Sequence, residues 1–218
     1  VARELADLPF ARYLTPLREE PEREGDYDCV HVGDRQLEHL GAEHVRFAES
    51  AFGSLTVTRG SFRYGRFTDV WLRAVAWIGT DLSDTSWQDA EFVEGAFSGV
   101  DAGGAVLRRV RFEGCKFDSV NFRRAKLREV SFVDCVLRHT DFGDADLTTV
   151  SFPGSTLTDL SLTKTTMREV DLRGATRIGI ADGIEGLRGT TITPLQLMDL
   201  APSFAGALGI TVAEESWP

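Results

Sequence analysis

From Phe47 to Leu172 every fifth residue is bulky and apolar, in one phase that runs through Phe52, Val57, Phe62, Phe67, Leu72, Trp77, Leu82 and Trp87. Ala102 is the only small member among 26 such positions, and 12 of the 14 phenylalanines fall in this register. A period of five matches neither the 3.6 of a helix nor the 2.0 of a strand, so the chain must wind in a third way. Two residues before each bulky position runs a second series, Val45, Ser50, Leu55, Gly60 and onward to Val170. Apart from Leu55 and Leu160 its members are small or β-branched. One large and one small inward residue against three outward ones let a short extended segment turn a corner every five residues around a filled axis.

Units such as DADLT at 144–148 and VNFRR at 120–124 resemble the pentapeptide-repeat family, whose unit centres on Leu or Phe with a small residue two earlier. The resemblance covers residues 45–175 and implies an all-β solenoid, a right-handed quadrilateral β-helix with four pentapeptides per coil and short helical caps at the ends. At four units per coil, 26 units make about six and a half coils, or ~30 Å of tower at ~4.8 Å per coil. Residues twenty apart then stack, which brings Phe92, Phe112, Phe132 and Phe152 into one column of rings. Trp77 and Trp87 are oversized for their slots, and Ala102 is expected to release the space they need.

Both ends of a solenoid need covers. Residues 1–44 read as a capping segment, LADLPFARYLTPL, followed by a solvated charged loop. Val32, Leu37 and Ala42 keep the phase upstream of Val45, but Arg35 is a poor inward residue. After Ala175 the phase breaks, because Arg177 occupies the bulky slot, and residues 176–218 read as a glycine-rich link, short helices and a tail. Thr193, Pro194 and Gln196 suit a helix start and Gly209 a stop, while Pro202 is expected to split the segment into two short turns.

No apolar run approaches a membrane span, no secretory pattern opens the sequence, and three cysteines are too few for a disulfide scaffold, so a cytoplasmic protein is expected. Cys115 and Cys135 fall in the small inward series and read as buried hydrophobes whose parallel side chains do not meet as a disulfide requires. Cys29, His31, His39 and His44 match no zinc spacing, and no carboxylate dyad, nucleophile set or phosphate loop is apparent. Gly103 and Gly104 read as corner residues. We expect no enzyme, no metal and no cofactor.

The net charge of −10 argues against direct nucleic-acid binding and for a basic or DNA-binding protein as partner. Along the chain the outward charges form bands: net −6 over 69–101, net +6 over 108–128, and net −5 over 129–171. Asp81, Asp101, Asn121 and Asp141 share one outward column, with Asp84 and Asp144 close by. The resemblance extends to the quinolone-resistance branch of the family and implies a dimeric tower that imitates duplex DNA and docks on DNA gyrase or topoisomerase IV. On that reading Asp81, Asp84, Asp101, Asp141 and Asp144 bind the partner. Leu195, Met198, Leu200, Phe204, Leu208 and Ile210, in a stretch similar to that branch's C-terminal helix and LGI-type strand, form the homodimer. The basic band between the acids departs from this pattern. The alternative is an interaction or scaffold module for another protein, using that band or the surroundings of Trp71.

Overall fold

The computed structural model describes residues 3–213. Strands pair in parallel with a constant offset of twenty, as in Phe47↔Phe67↔Trp87↔Leu107↔Leu127↔Leu147↔Met167, so the chain is a parallel β-solenoid of about eight turns. At ~4.8 Å per turn the tower is ~40 Å tall. All 26 bulky positions are buried, Met167 being the most accessible at 8%. The ring column forms as expected: Phe92, Phe112, Phe132 and Phe152 stack at 4.7, 4.9 and 5.1 Å, with planes within 20°. A second stack runs Tyr27, Phe47, Phe67, Trp87 and tightens to 3.8 Å at its last step. Beside Ala102 an apolar void of about 20 Å³ persists between Leu82, Trp87, Phe97 and Phe122, so the released space is not wholly taken up.

The corners are turned by the backbone. Two residues after each bulky position up to Met167 the chain adopts a left-handed conformation, and most such residues are not glycine: Glu49, Asp69, Asp84, Asp89 and Asp144 lie at φ between 44° and 56°. Each costs ~1 kcal/mol against an ordinary conformation, a strain held by the hydrogen bonds to the coils on either side. Gly104 takes such a corner at φ 70°, whereas Gly103 does not.

The ladder extends beyond the 45–175 expected. Asp26–Asp28 pairs with Arg46–Ala48, and Val30–Glu38 with Ala51–Thr58, so Tyr27, Val32 and Leu37 already occupy inward slots. Arg35 is accommodated because no full coil lies beneath it: its guanidinium donates to Leu17 O at 2.5 Å and Glu19 O at 2.9 Å in the segment that crosses the coil end. At the other end Arg177 does not stop the winding. A one-residue register shift pairs Leu157 with Ile178, Ile178 packs on the core in Arg177's stead, and the last turn closes with Val170↔Thr190.

The C-terminal segment is one helix, α1 (Pro194–Ala207), not two turns split at Pro202. Pro202 lies on the exposed side, where water can solvate the carbonyl that loses its partner. Thr193 and Gln196 form the expected capping box, and Gln196 and Leu200 are buried against the final coil.

The N-terminal segment departs most from expectation. Thr15–Pro16 pairs beneath Val30–Glu38, but residues 3–14 do not cover the coil end. They climb the outside of the tower as two 3-10 turns, Leu5–Asp7 and Ala11–Tyr13, and bury Leu8 and Phe10 on Ala51, Trp71 and Val93. Trp71 is therefore only 4% exposed, and its surroundings are not the open contact surface the sequence suggested. An outward Trp flanked by alanine and valine offers more apolar area than a coil end already closed by Leu17 and Arg35.

Candidate protein-interaction surfaces

Four faces follow from the twenty-residue turn, which we name after their first inward residues, Phe47, Phe52, Val57 and Phe62. Parallel bridges join Gly41, Ser61, Asp81, Asp101, Asn121, Asp141 and Ser161 in one uninterrupted column on the Phe62 face. The structure thus brings Asp81, Asp101 and Asp141 into line, with Asp84 and Asp144 at the adjoining corner.

Local geometry explains why acids recur there. Each column carboxylate accepts a backbone N–H two residues on: Ser83 N at 2.9 Å on Asp81, Gly103 N at 2.9 Å on Asp101, and Gly143 N at 2.7 Å on Asp141. Asn121 does the same for Arg123 N at 2.9 Å. These are Asx turns, which satisfy the N–H that the corner withdraws from the ladder. The acids consequently serve the fold as well as the surface, and the contact needs only an acceptor oxygen.

Three-dimensional sorting also redistributes the charge bands. Arg123 reaches Asp141 at 3.2 Å and Asp144 at 2.9 Å, with its own ionisation reinforced first by its bond to Asp141. Asp84 has a weaker partner in Arg63 at 3.4 Å. Asp81 and Asp101 have no ion-pair partner among the described residues. Arg109 is held bidentately by Asp89 at 2.5 and 2.7 Å, and Arg111 by Glu113 at 2.7 and 3.0 Å. Most of the remaining bases line the Phe47 face, where the two outward columns from Arg46 to Arg168 hold Arg46, Arg66, Arg108, Lys126, Arg128 and Arg168 against Asp146 alone. The basic belt is therefore largely a stripe on a neighbouring face rather than a ring that interrupts the acids; Arg124, at the shared corner, and Lys116, on the Val57 face, are the exceptions.

A ladder the sequence reading did not single out stands at the corner between the Phe47 and Phe52 faces: Glu49, Asp69 and Asp89, ended by Arg109. Burial first, then Asp89 and Glu49, raise the Asp69 carboxyl above its usual range. The Arg109 hydrogen bond lowers Asp89. Their shared offset of twenty in the corner phase was a legible signal, had the corner position been known to point outward.

At the coil end, Leu195, Met198, Leu208 and Ile210 are 64, 65, 76 and 56% exposed, joined by Leu197 and Val212. Leu200 is 2% exposed and Phe204 packs against the core, so these two belong to the cap and not to the open apolar surface. Asp28, Cys29 and Glu49 bring their ligand atoms within 4.8 Å of one another; burial and then Asp28 raise the Cys29 thiol's pKa. Cys115 and Cys135 are buried and free; the hydrogen bond to Cys135 and burial keep the Cys115 thiol protonated. No helix among the described residues is long and apolar enough to cross a membrane.

Residues 105–178 match the family model described as pentapeptide repeat region. No curated protein matches the chain in sequence. Among solved structures the chain is similar to a trypsin-treated variant of QnrB1, a plasmid-mediated fluoroquinolone resistance protein, with 13% identity over 91% of this chain and 96% of that one and a TM-score of 0.58. It is also similar to HetL, a pentapeptide-repeat protein involved in heterocyst differentiation regulation from the cyanobacterium Nostoc sp., with 14% identity over 76% and 88% and a TM-score of 0.50. Residues 105–178 thus carry a pentapeptide-repeat region, and at these identities the likeness to either structure is one of fold.

Proposed function

We propose that the protein is a non-catalytic binding rod whose Phe62 face imitates the charge of a nucleic acid and docks on a basic, DNA-binding protein surface, with DNA gyrase or topoisomerase IV as the partner. The carrying observation is the column itself: Asp81 and Asp101 are adjacent in it without ion-pair partners among the described residues, with Asp84 beside them. Carboxylates stacked along a rigid rod can replace phosphates in a basic saddle and displace duplex DNA. The resemblance to the quinolone-resistance branch and the fold shared with QnrB1 support this partner.

Asn121 shows how to test it, because it keeps the Asx turn without the charge. Asp81→Asn combined with Asp101→Asn is expected to leave the melting temperature within a few degrees of wild type while weakening any effect on gyrase supercoiling at least tenfold. Wild-type protein that neither inhibits supercoiling nor protects against a fluoroquinolone at tens of micromolar would overturn the gyrase assignment.

A second reading rests on the Phe47 stripe, where Arg108 and Lys126 have no ion-pair partner among the described residues and present a surface for an acidic protein. On either reading the exposed Leu195, Met198, Leu208 and Ile210 are assigned to a homodimer through the helical end. Leu195→Asp with Met198→Asp is expected to halve the mass measured by sedimentation equilibrium; an unchanged mass would remove the dimer.

A further inference from the structure

On the outside of a coil a buried carboxylate needs a reason, and Glu91 is 5% exposed at an outward position of the Phe52 face. Its neighbours in that column are Trp71 and Arg111, but Arg111 turns away to Glu113. The charge of Glu91 is met by Arg3, whose Nε donates to Oε2 at 2.6 Å and whose backbone N–H lies 3.4 Å from Oε1. Trp71 Nε1 donates to Arg3 O at 3.2 Å, and Glu4 pairs with Arg73. Leu8 and Phe10 then fill an apolar bed formed by Ala51, Trp71 and Val93, a cluster separate from the axial core.

The segment that makes these contacts is held as a ligand would be. Its backbone hydrogen bonds close within its own 3-10 turns, as in Asp7 N to Glu4 O at 2.9 Å and Tyr13 N to Phe10 O at 2.9 Å. Backbone pairing with the coils begins only at Thr15 N to Cys29 O. Beside that filled bed the segment leaves space open. A cavity of about 330 Å³ remains between Arg3, Phe10, Tyr13 and Trp71 on one side and Glu49, Asp69 and Asp89 on the other; Arg3 is spent on Glu91 and Asp89 is held by Arg109, which leaves Glu49 and Asp69 without a cation among the described residues. Aromatic rings facing carboxylates suit a further cation.

We propose that the Phe52 flank at Ala51, Trp71, Glu91 and Val93 is a peptide-docking site, that residues 3–14 are its built-in occupant, and that its partner is a protein segment presenting an arginine followed by bulky apolar residues. Arginine meets Glu91 and the apolar side chains take the places of Leu8 and Phe10. A partner with a second basic residue gains the acid-lined cavity that the strap leaves empty, which gives it an advantage over the tethered occupant. Tethering sets the threshold: a linked segment competes at an effective concentration on the order of millimolar. The site thereby rejects weak apolar sequences and admits those with the matching charge. The surface lies apart from the acidic column of the Phe62 face, so a negative gyrase assay leaves it standing.

The test uses the full chain and a fluorescein-labelled synthetic peptide of residues 3–14, followed by anisotropy. Arg3→Glu sets a carboxylate against Glu91 and opens the strap. With Glu91 unchanged, this variant is expected to bind the peptide at least tenfold more tightly than wild type, whereas a scrambled peptide gains nothing. Adding Glu91→Arg restores an opposite-charge pair in cis and is expected to abolish the gain. Equal peptide binding by all three chains, or no gain in a folded Arg3→Glu chain, would overturn the proposal. Hydrogen exchange on the wild-type chain gives an independent readout: residues 5–13 are expected to exchange at least a hundredfold faster than the inward positions of the coils. Protection of the strap equal to that of the coils would show an integral part of the fold and sink the idea.

Discussion

Phe112→Ala is expected to lower the unfolding free energy by about 4 kcal/mol. Phe112 is stacked on Phe92 at 4.7 Å and Phe132 at 4.9 Å, and meets Phe97 and Phe117 edge-on at 6.0 and 5.2 Å. Alanine removes a fully buried ring and two stacking partners at once. The coils above and below cannot close the gap, because their backbones are hydrogen-bonded in register through Glu91↔Arg111 and Arg111↔Ser131. Phe112→Leu keeps most of the volume and is expected to cost about 1.5 kcal/mol, mostly the lost ring geometry. Urea unfolding followed by far-ultraviolet circular dichroism measures both. A loss under 1 kcal/mol for the alanine variant would mean that the stacked column is not the principal support of the mid-tower.

Gln196→Ala is expected to cost about 3 kcal/mol. The side chain of this one residue works in two directions. Its Oε1 accepts from Thr193 N at 2.9 Å to complete the capping box, while Nε2 donates to Leu172 O at 2.8 Å and Ala175 O at 3.0 Å. Those two carbonyls belong to the last full coil and would otherwise face the absent next one. Alanine keeps the bond from its own backbone N–H to Thr193 Oγ1 but leaves Thr193 N and two buried carbonyls unpaired, at ~1 kcal/mol each. Gln196→Glu should be at least as damaging, because a carboxylate cannot donate to those carbonyls and repels them. Thermal unfolding, with hydrogen exchange at the terminal coil, reads the result. A Gln196→Glu chain as stable as wild type would show that the cap does not depend on the amide.

These two residues differ in how readable they were. The burial of Phe112 follows from the five-residue phase alone, and so does its stacking, since a constant period in a closed winding leaves no other neighbour for it. Gln196 was legible only as a capping-box residue; its amide reaches carbonyls 21 and 24 positions away, and no local pattern encodes that distance. The acidic column lies between these cases. Asp81, Asp101 and Asp141 were placed on one face by arithmetic, but their Asx turns and the neutralisation of Asp141 and Asp144 by Arg123 depend on rotamers and on corner geometry. The charge bands misled because contiguous residues point to all four faces in turn. Sorting by columns moves Arg108, Lys126 and Arg128 away from the acids and onto a face of their own.

The five-residue repeat by itself determined the winding, the inward residues, the offset of twenty and the alignment of the acids, because a periodic chain has only one way to bury its periodic residues. Tertiary structure decided everything that lies outside the period. It carried the ladder past Arg35 and Arg177 by bonding one guanidinium to the carbonyls of Leu17 and Glu19 and shifting the register by one residue. It kept α1 whole through an exposed Pro202, and it laid residues 3–14 along the flank instead of over the end. Those outcomes rest on single aperiodic contacts between distant segments, Arg3 with Glu91 and Gln196 with Leu172, which compete with alternatives of similar local energy. The sequence names the residues that make them; only the folded coil brings them within reach.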